Sequence, residues 1–141
     1  MSAHVVYPAL DPERPATLSP RIATAWLRDD LGFGGVLFSD DLEMRALADR
    51  MAIEQSAVAA VEAGCDVLLV CHDPSLQARA HAALVARARA DRGFLARCTE
   101  AAERALAARR RFPPRPATVA EAEAALPELA AVTAAIRGTL A

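Results

Sequence analysis

Gly35-Val36-Leu37-Phe38-Ser39-Asp40-Asp41-Leu42 is the stretch whose reading decides the fold. Val36, Leu37 and Phe38 are strand formers with no polar residue between them. Such a run predicts a strand buried on both faces. Ser39, Asp40 and Asp41 follow at its carboxyl end, which is where parallel α/β folds place ligands and chemistry. On spacing alone two readings of the aspartate pair stand. One is a carboxylate facing a ligand, the other a turn or a cap for the next helix.

Downstream, Leu42 to Arg50 reads as a loop or irregular helical turn carrying Met44, and a helix follows over about 51–63 with Ile53, Ala57, Val58 and Val61 inward. Gly64 closes it. Cys65-Asp66-Val67-Leu68-Leu69-Val70-Cys71 predicts the next strand, with Asp66 as a turn residue before it. Asp73-Pro74 is an N-cap followed by a first-turn proline, so a helix is expected over about 75–90. Gly93 is expected to break it, with a second helix over about 94–111 ending on Arg109-Arg110-Arg111, charges that complement the helix dipole.

Upstream, Ser19-Pro20 marks the start of a helix running to about Leu31, with Ile22, Ala25, Trp26 and Leu31 near one face and Gly32 at its end. Residues 8–18 read as a loop because of Pro8, Pro12 and Pro15. Residues 1–7 read as the end of a strand. The order strand, helix, strand, helix, strand, helix, helix implies a parallel sheet built through crossovers. Pro113, Pro114 and Pro116 mark a linker at 113 onward. Thr118-Val119-Ala120-Glu121 has the capping-box pattern for a short tail helix, which Pro127 is expected to interrupt before a last helix over about 128–137.

The chain has 141 residues, 54% hydrophobic and 24% charged, with a net charge of −2. This is enough for one core, and the charge gives no basis for a nucleic-acid or membrane-surface partner. All sixteen basic residues are arginine. Three cysteines, Cys65, Cys71 and Cys98, show no CxxC spacing. Cys65 and Cys71, bracketing an apolar strand, are expected to be buried thiols. Disulfide or zinc frameworks are not indicated, no cofactor is called for, and a reducing cytoplasmic setting is expected. No apolar run approaches a membrane span.

Four segments resemble the bacterial β-N-acetylhexosaminidases of glycoside hydrolase family 3. They are Met1-Ser2-Ala3-His4-Val5 with Tyr7-Pro8, Pro15-Ala16-Thr17-Leu18-Ser19, the segment Leu31-Gly32-Phe33-Gly34-Gly35-Val36-Leu37-Phe38-Ser39-Asp40-Asp41-Leu42-Glu43-Met44, and Ala63-Gly64-Cys65-Asp66 leading into Leu68-Leu69-Val70-Cys71. The resemblance covers residues 1–112 and leaves 113–141 as a linker and helical tail. It implies a TIM-type (β/α)8 barrel of which this chain holds the last three strand–helix units. It also implies that Asp40 is the catalytic nucleophile, forming a glycosyl-enzyme that water opens with retention, and that His4 lines the sugar pocket or supports a residue that does. Met44 has two readings, as lining of the sugar pocket or as a core or loop anchor. The implied substrate is an N-acetylglucosamine-containing muropeptide or glycoside, and the implied setting is peptidoglycan recycling.

Retaining glycosidases need a second group to protonate the leaving oxygen. The family's His–Asp pair for this task, and its sugar-binding lysine, belong to segments upstream of those matched here. The expectation is therefore a fragment with little activity alone, or a half-barrel completed by a chain supplying the remaining strands. His72 is expected in a surface or helix-capping role, His81 exposed, Asp41 orienting its loop, and Glu54, Glu62, Glu100 and Glu103 on solvated helix faces. A response-regulator-like phosphoacceptor site is a poorer fit, since it needs a lysine and an acidic pair on another strand.

Overall fold

The computed structural model describes residues 1–139, in two compact units, Met1–Arg111 and the stretch from Phe112. The spine of the first unit is a parallel pair, β3 (Phe38–Asp41) and β4 (Val67–Leu69), with Phe38 opposite Val67 and Asp41 opposite Leu69. Flanking amides extend the ladder. Asp66 N–H donates to the Leu37 carbonyl at 2.8 Å, and Leu42 N–H to that of Leu69 at 2.9 Å. The buried Ser39 Oγ accepts the Leu69 N–H at 2.9 Å, a side chain standing in for a carbonyl where the register slips.

Between these strands lie α1 (Arg45–Ala48) and α2 (Ile53–Ala63), and after β4 come α3 (Pro74–Ala90) and α4 (Arg92–Arg111). Asp73 Oδ1 accepts the Ser75 N–H at 2.8 Å, so the Asp-Pro pair starts α3 as its sequence dictates. The core gathers Leu37, Leu42, Leu47 and Ile53 around Ala57, Ala60 and Ala63 of α2, with Ala23 and Cys65. Small residues on α2 let the other elements approach closely, and close packing compensates for the scarcity of aromatics.

Gly64 shows how tight that approach is. Its φ is +129°, and a Cβ there would lie 2.8 Å from Thr24 Oγ1 and 3.3 Å from the Ala23 carbonyl. Thr24 Oγ1 is itself tied to the Ala63 carbonyl at 2.8 Å, so it is not free to move aside. Gly64→Ala is expected to destabilise the unit by about 2–4 kcal/mol, from left-handed strain plus overpacking. Chemical denaturation of the two proteins checks this, and a midpoint shift within error would contradict it.

Several expectations are corrected. Strand β3 is buried on one face only. Leu37 and Ser39 are 3% and 0% exposed, whereas Phe38 is 41% exposed and shares its face with Asp40. The parallel ladder holds two strands, not three. The amino-terminal segment forms β1 (Val6–Tyr7), which pairs antiparallel with β2 (Asp11–Pro15), and its backbone meets β3 through the Ser2 N–H, which donates to the Phe38 carbonyl at 2.8 Å. Residues 11–15, read as loop, are thus a strand. Their two prolines are tolerated because each strand of a two-stranded ribbon is an edge. A 3₁₀ turn, Ala16–Leu18, follows.

The helix after Ser19-Pro20 is a π-helix, Arg21–Asp30, closed by Leu31 N–H to the Trp26 carbonyl. Ser19 does cap it, with its Oγ accepting the Ile22 N–H at 3.2 Å, and Gly32 ends it at φ +69°. The wider i→i+5 winding rotates the inward face to Ile22, Ala23 and Leu27. Ala25, Trp26 and Leu31, expected inward, are exposed. Gly93 sits inside the first turn of α4. The break is made by Asp91, whose Oδ1 accepts the Gly93 and Phe94 N–H groups. Cys71 is exposed rather than buried, and Cys65 is buried as expected.

In the second unit, α5 spans Val119–Thr139. Thr118 and Glu121 form the expected capping box, with Thr118 N–H to Glu121 Oε2 at 2.8 Å and Glu121 N–H to Thr118 Oγ1 at 3.2 Å. Pro127 does not interrupt the helix, which runs through it at the loss of one backbone bond. The end of the expected tail, Leu140 and Ala141, lies outside the described residues. No described helix is long and apolar enough to cross a membrane.

Candidate active site

Asp40 stands near the carboxyl end of β3, half-buried, on the open face. Its Oδ1 accepts the Asp41 N–H at 2.9 Å. That bond fixes the carboxylate plane and spares Oδ2 for a ligand. Asp41 faces another way, with its Oδ1 accepting the Glu43 N–H at 3.1 Å, which is the loop-orienting part expected of it.

Two more side chains anchor the loop that carries these aspartates. His4 uses both ring nitrogens, Nδ1 to Thr17 Oγ1 at 3.0 Å and Nε2 to the Asp41 carbonyl at 2.9 Å. A backbone carbonyl accepts only, so Nε2 carries the proton in the neutral ring. Glu43 reaches across to the loop after β4. Its Oε2 accepts the His72 N–H at 2.5 Å and its Oε1 the Asp73 N–H at 2.8 Å. These donors, with the His72 N–H foremost, hold the Glu43 carboxyl below the usual carboxylate range. His72 therefore contributes its backbone, not its ring, and the cap of α3 is Asp73. Met44 is 45% exposed just beyond the aspartates. His81 lies exposed on α3.

Cys71 belongs to the same end of the strands. Desolvation and the carboxylates of Asp41, Glu43 and Asp40 push its thiol up, which disfavours the thiolate. Among the described residues no group of three or more histidine, cysteine, aspartate or glutamate side chains is arranged to hold a metal ion. A cavity of about 620 Å³ runs beside β4 between Leu84 of α3 and Cys98 of α4 and reaches Cys71. Another, of about 460 Å³, lies between Arg14 and Met51 and has His4 in its lining.

At the opposite end of β4 is a cluster that residue order conceals. Asp66, read as a turn residue, is a fully buried carboxylate. Arg28 reaches its Oδ2 at 2.7 Å, and Arg97 and Arg104 reach Oδ1 at 2.7 and 3.1 Å. Leu37 N–H donates to Oδ2 at 3.0 Å. Burial raises the Asp66 carboxyl, and the Leu37 amide and the arginines outweigh it, so the group stays below its ordinary pKa. Arg28 and Arg97 also bond the Gly64 carbonyl, each at 3.0 Å, and Glu100 pairs with Arg104. Two other helix glutamates make exposed pairs, Glu54 with Arg79 and Glu62 with Arg87. Such pairs contribute little stability.

A model described as the glycosyl hydrolase family 3 N terminal domain matches residues 1–107. The β-hexosaminidase of Nitrosomonas eutropha is 47% identical over 74 residues, which is 52% of this chain and 21% of that protein. That of Idiomarina loihiensis is 49% identical over 73 residues, 52% of this chain and 22% of the relative. The chain thus matches about a fifth of the length of these relatives. Among solved structures, the β-N-acetylhexosaminidase of Beutenbergia cavernae superposes with a TM-score of 0.72 at 42% identity, covering 75% of this chain and 31% of the other. A family 3 β-N-acetylglucosaminidase from Paenibacillus gives 0.76 at 36% identity, covering 83% and 23%.

Proposed function

The chain belongs to glycosyl hydrolase family 3, as part of its N-terminal domain, and we propose that Asp40 is the nucleophile of a retaining β-N-acetylhexosaminidase. The observation that carries the reading is the placing of Asp40. It is a half-buried carboxylate near the end of a parallel strand, pinned at Oδ1 by the next amide and open at Oδ2. A rigid strand holds such a group to the tolerance that attack on a carbon requires. In the proposed step Oδ2 bonds the anomeric carbon while the bond from that carbon to the aglycone oxygen breaks. Water then attacks the same carbon, releasing the sugar and restoring the carboxylate. Inversion twice gives net retention.

Protonating the aglycone is the harder task, and the described neighbours do not suit it. His4 is bonded at both nitrogens, Asp41 turns its carboxylate toward the Glu43 amide rather than to the face of Asp40, and backbone donors hold the Glu43 carboxyl below the usual carboxylate range. We therefore propose that these 141 residues are the last three units of a (β/α)8 barrel over 1–112, with 113–141 a linker and tail, and that the acid/base comes from barrel segments outside them. Phe38, 41% exposed beside Asp40, supports a covering segment on that face. His4 and Met44 are the residues we propose as lining of the sugar site. The proposed substrate is a muropeptide or glycoside ending in N-acetylglucosamine. Three free cysteines support a reducing, cytoplasmic setting, and the proposed role there is peptidoglycan recycling.

Leaving-group dependence tests this. A β-N-acetylglucosaminide with a dinitrophenolate leaving group needs no acid. It is expected to add one N-acetylhexosaminyl mass to Asp40, detected by peptide mapping, while unactivated glycosides are not turned over. Absence of the adduct overturns the nucleophile. Turnover of unactivated glycosides, abolished by Asp40→Ala, overturns the missing acid.

A further inference from the structure

The loop after β3 and the loop after β4 are joined by one side chain, and it is not part of the proposed chemistry. Glu43 spans them with two carboxylate bonds, to the N–H groups of His72 at 2.5 Å and Asp73 at 2.8 Å. Its own N–H is held by Asp41 Oδ1, and the Asp41 N–H by Asp40 Oδ1. On the far side, Asp73 caps α3 through the Ser75 N–H. Asp40 is thereby connected to the start of α3 through an unbroken run of side chain to backbone bonds. Charge-assisted bonds of this kind are roughly twice as strong as neutral ones.

We propose that Glu43 is a positioning residue: its carboxylate, accepting the His72 and Asp73 amides, fixes the loop after β4 against the loop after β3 and holds the main chain that carries Asp40. The role rests on reading Asp40 as the nucleophile. The geometry is selective. A residue with no acceptor at 43 leaves the two amides to water, so the loop after β4 loses its side-chain tie to the loop after β3, while the β3–β4 ladder and the His4 bond to the Asp41 carbonyl remain. Glutamine keeps one acceptor oxygen and the same length, so it supports half of the clasp. Aspartate keeps the charge, but it is one methylene too short to reach both amides.

The test uses the full chain with Glu43→Ala and Glu43→Gln, read in two ways. Amide hydrogen exchange at His72 and Asp73 is expected to quicken by about tenfold in Glu43→Ala, the equivalent of one bond's net free energy, and by less in Glu43→Gln. The maximal rate of Asp40 labelling by the dinitrophenyl donor is expected to fall about tenfold to a hundredfold in Glu43→Ala. Its half-saturating donor concentration stays unchanged, and Glu43→Gln is intermediate. Wild-type exchange in both variants overturns the clasp. Fast exchange with undiminished labelling overturns the positioning role and leaves the nucleophile standing. Fast exchange in the variants while the parent chain is never labelled overturns the reading of Asp40, and the positioning role with it, and leaves the clasp standing. Should Glu43→Ala fail to fold, Glu43→Gln alone decides by the same measures.

Discussion

Asp66→Ala is expected to destabilise the first unit by about 3–5 kcal/mol, the range for removing one partner from a buried ionic cluster. Against a total of about 5–15 kcal/mol for a domain, this is a large share. The loss is not that of one attraction. Arg28, Arg97 and Arg104 are left facing each other, only 11%, 18% and 24% exposed, with Glu100 as the remaining counter-charge. The Leu37 N–H loses its side-chain acceptor at the start of β3 as well. Asp66→Asn keeps an oxygen for that amide but not the charge, so it is expected to fall between the two. Denaturant midpoints of the three proteins check the order. A change below about 1 kcal/mol in Asp66→Ala contradicts the assignment.

The same cluster gives a pH dependence whose sign follows from the direction of the shift. The folded Asp66 carboxyl lies below its unfolded value, so its contribution is present above that unfolded value, about pH 4. It is lost as pH falls through the folded pKa. The difference in stability between the parent and Asp66→Ala is therefore expected to be flat from neutral pH to about pH 4 and to narrow below it. A difference that narrows toward alkaline pH contradicts this.

Asp66 also shows what residue order could and could not disclose. Its arginines lie 38, 31 and 38 positions away, on the π-helix and on α4. Nothing local distinguishes an aspartate at a turn from one that three helical arginines converge upon. The Glu43 clasp is hidden for the same reason, with partners 29 and 30 positions off. Features that close within a turn were legible. The Asp73-Pro74 cap, the Thr118–Glu121 capping box and the glycine ends at Gly32 and Gly64 follow from neighbours alone. The π-helix misled because a period near 3.6 was assumed where bonds run i→i+5, which moved Ala25 and Trp26 outward. Strand β3 misled differently. Its apolar run fits a sheet covered on both faces, and in this chain only the Leu37 and Ser39 face is covered.

Asp40→Asn is expected to abolish covalent labelling by an activated N-acetylglucosaminide, a loss of about 10⁴-fold or more, as for removal of a catalytic nucleophile. Stability is expected to stay within about 0.5 kcal/mol, because the asparagine oxygen still accepts the Asp41 N–H held by Oδ1. Asp41→Asn supplies the control. Its oxygen likewise still accepts the Glu43 N–H, and labelling is expected to persist. The pair of variants thus separates two adjacent carboxylates with similar bonds and different roles. Asp40→Ala adds a stereochemical readout, since it vacates space at the strand end. Azide supplied there attacks the anomeric carbon from the side the carboxylate occupied, as the dinitrophenolate leaves from the other. The expected product from the β-donor is the α-glycosyl azide. A β-azide, or labelling that survives in Asp40→Asn and is lost in Asp41→Asn, transfers the nucleophile's role away from Asp40.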